Sequence, residues 1–179
     1  MVYVFLAEGF EEVEALATVD IIRRAGVECV TVGVTGKTVT GAHNIPVLAD
    51  TLISDIDIKN ACAVVLPGGM PGTLNLEGSS GVIDAVKYAY DNNLLIAAIC
   101  AAPSVLGHLN MLVGKTATCY DGFEKELIGA RLSDEPVCTD GNIITACGAG
   151  AALDFGAQIV AYLKDEKTAQ TLKKAMKCR

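Results

Sequence analysis

An α/β fold, with a mostly parallel sheet and helices on both of its faces, is what the sequence predicts. Three observations carry the prediction. Short apolar runs alternate with helix-like segments along the whole chain, the pattern of strand–helix–strand crossovers. The strongest runs, Val2-Tyr3-Val4-Phe5-Leu6, Ala61 to Leu66 and Leu94 to Ile99, are almost free of charge, as strands covered on both faces are. Two of these runs stop at glycine or small-residue corners, Pro67-Gly68-Gly69 and Cys100-Ala101-Ala102-Pro103. With 179 residues, 51% of them hydrophobic, the chain suits one domain over 1–179 with a sizeable core.

The first strand, residues 2–6, leads through Ala7-Glu8-Gly9-Phe10 into a helix from about Glu11 to Ala25, which Gly26 ends. Val27 to Val34 reads as the second strand. Glycines at 36 and 41 punctuate Thr38 to Thr40, and Ile45 to Leu48 follows, so a small hairpin is expected. Thr51 to Ile58 reads as a short polar-faced helix. Ala61 to Leu66 is a buried strand, and Ser79 or Ser80 caps a helix that runs to Asn92. The strand ending at Ile99 is followed by a helix through Ser104, Val105 and Leu106. Lys115 to Cys119 reads as a further strand ending at Tyr120-Asp121-Gly122, with a short helical stretch over 123–129. Pro136 to Cys138 and Asn142 to Cys147 read as strands joined by the hairpin signal Asp140-Gly141. Gly148-Ala149-Gly150 opens a helix to about Leu163, and a charged helix from about Lys167 to Lys177 closes the chain.

Composition narrows the function classes. A formal charge of −7, no basic cluster interleaved with aromatics and no Trp argue against nucleic acid or an anionic membrane as partner. Apolar runs fall short of a membrane span, and Met1 runs straight into a strand with no leader ahead of it, so a cytoplasmic protein is expected. The seven cysteines (29, 62, 100, 119, 138, 147 and 178) are odd in number, widely spaced and without a C-x-x-C pair. That argues against a disulfide framework and a zinc site. His43 and His108 are the two histidines, too few for a histidine-rich metal site, so neither metal nor cofactor is expected. Gly68-Gly69 lacks the spacing of a nucleotide loop and reads as a place where backbone N–H groups approach a ligand, or as an ordinary turn.

Two residues stand out as candidate chemistry. Cys100 sits at a strand-to-helix corner, where helix N–H groups favour an anion, so its thiol should lean toward thiolate. The alternative is a buried cysteine that only packs. Glu11 and Glu12 read as favourable charges in a first helical turn. Glu14 shares a stripe with Ala17 and Ile21, which places it against the core edge, where its pKa should rise and general acid/base work becomes available.

Taken together, Ala7-Glu8-Gly9-Phe10-Glu11-Glu12-Val13-Glu14, Val64-Val65-Leu66-Pro67-Gly68-Gly69 and Ala97-Ala98-Ile99-Cys100-Ala101-Ala102-Pro103 resemble the ThiJ/PfpI superfamily, more narrowly its DJ-1 branch. The resemblance extends over essentially the whole chain and implies a flavodoxin-like three-layer sandwich, usually a homodimer. It implies that Cys100 is the reactive, oxidation-sensitive cysteine, that Glu14 is its hydrogen-bonding acid, and that the N–H groups of Gly69 and Ala101 form an oxyanion-binding pair. Candidate pocket residues on the same basis are Tyr120, Gly68, His43, Gly148 and Ala149, with no metal. Two positions depart from the relatives: Ala101 stands where the peptidase branch has histidine, and Tyr120 where the DJ-1 branch often has histidine. A phenol donates a hydrogen bond but is no base near neutral pH. His43 lies near a family position facing the partner's site, and His108 reads as structural.

The activities that such a resemblance implies conflict: cofactor-free glyoxalase, deglycase of methylglyoxal adducts, protease, and oxidative-stress sensor or chaperone. The expected reading is a cysteine-dependent enzyme on small α-oxoaldehydes or their early adducts. The alternative is a sensor acting through oxidation of Cys100. A peptidase or amidase is disfavoured by Ala101.

Overall fold

The computed structural model describes residues 1–178. β1 (Val2–Leu6) is buried throughout, and its side chains alternate between two cores, Val2, Val4 and Leu6 to one face and Tyr3 and Phe5 to the other. α1 (Glu12–Arg24) begins where the Glu11 carboxylate accepts the Glu14 N–H at 2.7 Å. This is the side-chain capping that satisfies an otherwise orphaned donor. β2 (Cys29–Gly33) returns parallel to β1 with Val4 beside Thr31. β3 (Thr38–Thr40) and β4 (Pro46–Leu48) form a separate antiparallel hairpin.

β5 (Thr51–Leu52) pairs with Val32 and Gly33 at the edge of the main sheet. The helix expected over Thr51 to Ile58 is therefore absent: an edge strand and two 3-10 turns, Ile53–Asp55 and Ile58–Asn60, replace it. Ile53, Ile56 and Ile58 do not fall on one helical stripe, and the sheet edge offers Thr51 and Leu52 backbone partners that a helix would forgo.

β6 (Ala63–Leu66), α2 (Gly72–Glu77) and α3 (Ser80–Asp91, capped by Ser79) follow. The glycine and proline signals of 67–72 conceal α2 from sequence reading. β7 (Leu95–Ile99) leads to α4 (Pro103–His108), with proline at the first helical position, where its missing N–H costs nothing. The strand expected over Lys115 to Cys119 shrinks to β8 (Thr116–Ala117), which pairs with β9 (Arg131–Leu132) outside the main sheet. It has no place in the sheet because β10 (Val137–Asp140) folds back through Asp140-Gly141 and takes the edge beside β11 (Ile143–Ala146). A 3-10 turn, Ala149–Ala151, precedes α5 (Ala152–Leu163), and α6 (Glu166–Ala175) ends the fold.

The seven-stranded sheet runs β10-β11-β7-β6-β1-β2-β5, parallel except for β10. Its central order, with β1 between β2 and β6, is the flavodoxin-like one. α1, α5 and α6 cover the face of Val4 and Ile144; α2, α3 and α4 cover that of Phe5 and Ile96. Both faces are sealed, which accounts for strands that carry almost no charge.

Candidate active site

From β1 the chain passes to β2 on one side, and β6 lies on the other, so a crevice opens beyond the carboxyl ends of β1 and β6. Three corners meet there: the start of α1, the loop after β6 and the turn after β7.

Cys100 ends β7 with φ at +65°, a left-handed conformation that is strained for any residue but glycine. Both of its backbone groups are tied. Its N–H donates to the Ala146 carbonyl and its own carbonyl accepts from Tyr120 N–H, each at 2.8 Å. The sulfur is half-buried, and the backbone N–H groups of Gly69 and Ala101 donate toward it. Gly69 holds φ at +90°, which lets its N–H turn inward. Gly68 is needed for space: a Cβ there would stand 2.5 Å from the Cys100 Cβ and 2.7 Å from Glu14 Oε2.

Glu14 is 1% exposed. Its Oε2 accepts the Gly68 N–H at 2.9 Å, and its carboxylate accepts the Cys100 thiol. Burial pushes its pKa up from 4.5 to about 7, with the Glu11 charge adding to the rise and the bonds from Cys100 and Gly68 opposing it. The Cys100 thiol is also pushed up, to about 12, first by burial and then by the Glu14 charge and hydrogen bond, against the pull of Gly69 and Ala101. The expected lean toward thiolate is thus corrected. α4 has six residues and a small dipole, whereas Glu14 lies directly on the sulfur. Above pH 7 the pair is a thiol facing a carboxylate poised to take its proton.

The other candidates divide. Tyr120 is brought to the corner through its N–H, and its ring lies along Gly148, where a Cβ would sit 3.2 Å from Cδ2. Ala149 follows on the exposed 3-10 turn. His43 is held by Glu12: its backbone N–H and its Nδ1 each meet that carboxylate at 2.8 Å on the hairpin turn. Glu12 is therefore more than a first-turn charge. Burial would raise its pKa, but the bonds from His43 hold it below the ordinary value. Glu11, Glu12 and His43 bring ligand atoms within 4.8 Å of one another, with Glu11 engaged as a cap and Glu12 by His43. His108 bridges Glu77 and Glu126, a contact that no spacing in the sequence announces.

Residues 1–162 match the DJ-1/PfpI family. The chain belongs to that family. Drosophila melanogaster "Protein dj-1beta" is 34% identical over 176 residues, 97% of this chain and 94% of that protein. Arabidopsis thaliana "Protein DJ-1 homolog B" is 35% identical over 167 residues, 92% of this chain but 38% of that longer protein. Among solved structures, oxidized Toxoplasma gondii DJ-1 superposes with a TM-score of 0.94 at 30% identity, covering 98% of this chain and 96% of that one. A DJ-1 superfamily protein of Salmonella typhimurium gives 0.91 at 34% identity, with the same coverages of 98% and 96%. The DJ-1/PfpI fold thus accounts for the flavodoxin-like sheet and for the position of its crevice.

Proposed function

We propose that this chain is a cysteine-dependent enzyme that converts α-oxoaldehydes such as methylglyoxal, or their early adducts with thiols and amines, to 2-hydroxy acids. The observation that carries the proposal is the Cys100 thiol bonded to one buried carboxyl of pKa about 7, beneath two backbone donors. Glu14 takes the thiol proton as the sulfur attacks the aldehyde carbon. The resulting oxyanion falls to the Gly69 and Ala101 N–H groups, then receives that proton to give the hemithioacetal. Glu14 next takes the proton from the former aldehyde carbon and returns it to the neighbouring carbon, while the hydroxyl proton passes to the neighbouring carbonyl oxygen, leaving a lactoyl thioester. Water cleaves the thioester to lactate and restores the thiol. One acid and one thiol suffice. Both histidines are engaged by carboxylates, His43 by Glu12 and His108 by Glu77 and Glu126, and neither is hydrogen-bonded to Cys100, which disfavours a cysteine–histidine peptidase.

A second reading draws on the same donors: a sulfinate at Cys100 would be held by the Gly69 and Ala101 N–H groups and by protonated Glu14, as a redox sensor requires. We also propose a homodimer. Val13 and Leu16 on α1 and Ile45 and Leu48 on the docked β3–β4 hairpin are all exposed on neighbouring elements.

Lactate formation from methylglyoxal by purified protein tests the enzyme reading. Turnover should rise with pH through about 7 as Glu14 becomes able to accept a proton. It should fall by about 100-fold or more in Glu14→Gln and vanish in Cys100→Ser. No turnover above the Cys100→Ser background, with peroxide adding mass at Cys100, would replace the enzyme by the sensor.

A further inference from the structure

We propose that His108, bridging Glu77 and Glu126, is a positioning residue for the Cys100–Glu14 site; as a statement about catalysis, this rests on the reading just given.

Three short segments begin beside the candidate site. α2 follows the Gly68-Gly69 loop, α4 follows the Cys100 corner, and the 3-10 turn Glu124–Glu126 follows Tyr120. Each runs on from one piece of the candidate site within a few residues, and all three converge on one imidazole. Nδ1 of His108, at the end of α4, meets Glu77 Oε1 of α2 at 2.5 Å, and Nε2 meets Glu126 Oε2 at 2.9 Å. The bridge lies at the surface, with 35% of the His108 side chain and 51% of that of Glu126 exposed, so its strength rests on both nitrogens being engaged at once.

The approach is built into the backbone as well. A Cβ on Gly107 would lie 2.0 Å from the Glu126 carbonyl oxygen, so the turn seats against α4 only because residue 107 is glycine. α2 carries the link onward to the loop that leads into α1. Thr73 N–H donates to Gly69 carbonyl at 2.9 Å, Gly72 N–H to Gly9 at 3.2 Å and Asn75 Nδ2 to Glu8 at 2.8 Å. A continuous set of contacts therefore joins His108 to the loops holding Gly69, Cys100, Tyr120 and Glu14.

Two carboxylates on opposite nitrogens require both ring N–H groups, which is the imidazolium form. The hydrogen bonds to Glu126 and Glu77 raise the His108 pKa against the opposing effect of burial, and those two carboxylates are the charged groups facing the ring. Without the cation they would repel one another, and α2 and the turn would separate from α4. The Gly68-Gly69 loop, which packs against Glu14 Oε2, would shift with α2 and admit water to Glu14, whose value of about 7 comes from burial.

The experiment follows the side-chain carboxyl of Glu14 by carbon-13 NMR titration in the full chain. The variants are His108→Ala, Glu77→Gln and Glu126→Gln, with methylglyoxal turnover as a second readout. Lys173→Ala, which removes the ion pair with Asp154 at 2.6 Å on the opposite layer, is the control for general loosening. In His108→Ala the Glu14 midpoint should fall by about half a pH unit or more toward 4.5, and kcat by about tenfold with KM little changed. The two glutamine variants should move both readouts the same way by less. An unmoved midpoint in folded His108→Ala, or an equal shift in Lys173→Ala, would overturn the proposal. If His108→Ala does not fold, the glutamine variants decide. If the wild-type chain makes no lactate, the enzyme reading fails while the titration still judges the bridge.

Discussion

Glu14 shows what one residue costs a fold and gives a site. A carboxyl at 1% exposure is costly to keep in a core, and its environment raises its pKa from 4.5 to about 7. Between those values the folded chain retains a proton that the unfolded chain has released. Stability contributed by this group is full below 4.5 and is lost as pH rises through about 7, a loss on the order of 3 kcal/mol. Glu14→Gln has no charge to bury. Its thermal midpoint should therefore gain on the wild type progressively between pH 4 and pH 8, while turnover is lost. A difference in midpoint that stays constant with pH would mean that Glu14 titrates normally. The position of Glu14 on the inner stripe of α1 was legible from its spacing to Ala17 and Ile21. Its effect on Cys100 was not, because the repulsion between sulfur and carboxylate depends on a contact between residues 14 and 100.

Among the elements, the corner after β6 is the most constrained. Paired glycines after a strand are readable as a close-approach loop, but what approaches them is not. Gly68 is packed between Cys100 and Glu14, and Gly69 turns its N–H onto the sulfur. Gly68→Ala should therefore cost about 1–3 kcal/mol of stability by overpacking and lower kcat/KM by about 100-fold, since a Cβ at 2.5 Å must displace the nucleophile. Circular dichroism and the lactate assay check both halves. Activity retained in a folded variant would show that the corner yields. Sheet edges explain the two segments that depart from their local patterns. Thr51 and Leu52 became strand because an edge of β2 was open to them, and Lys115 to Cys119 was kept out of the sheet because β10 had closed the edge of β11. In both cases the choice was made by a neighbour distant in sequence.

For the whole molecule, the parallel sheet seals two cores and leaves chemistry to the loops at one end. The exposed apolar residues of α1 and the β3–β4 hairpin are the surface left over, and the proposed homodimer would cover them. Sedimentation should give twice the chain mass for the wild type. Val13→Arg combined with Leu48→Arg should give a folded monomer, because both positions are exposed and neither touches the core. A wild-type monomer would refute the dimer, and a dimeric double variant would place its interface elsewhere.

By itself the sequence determined the fold class, the order of most strands and helices, and the two residues around which the site is read. Those are set by local periodicity, by charge-free runs and by corner residues, which act within a few positions along the chain. The tertiary structure alone decided that Cys100 meets Glu14 as a thiol and not a thiolate, that His43 is taken by Glu12, and that His108 joins three segments beside the site. Burial and pairwise charge act through space, between groups that chain order keeps apart.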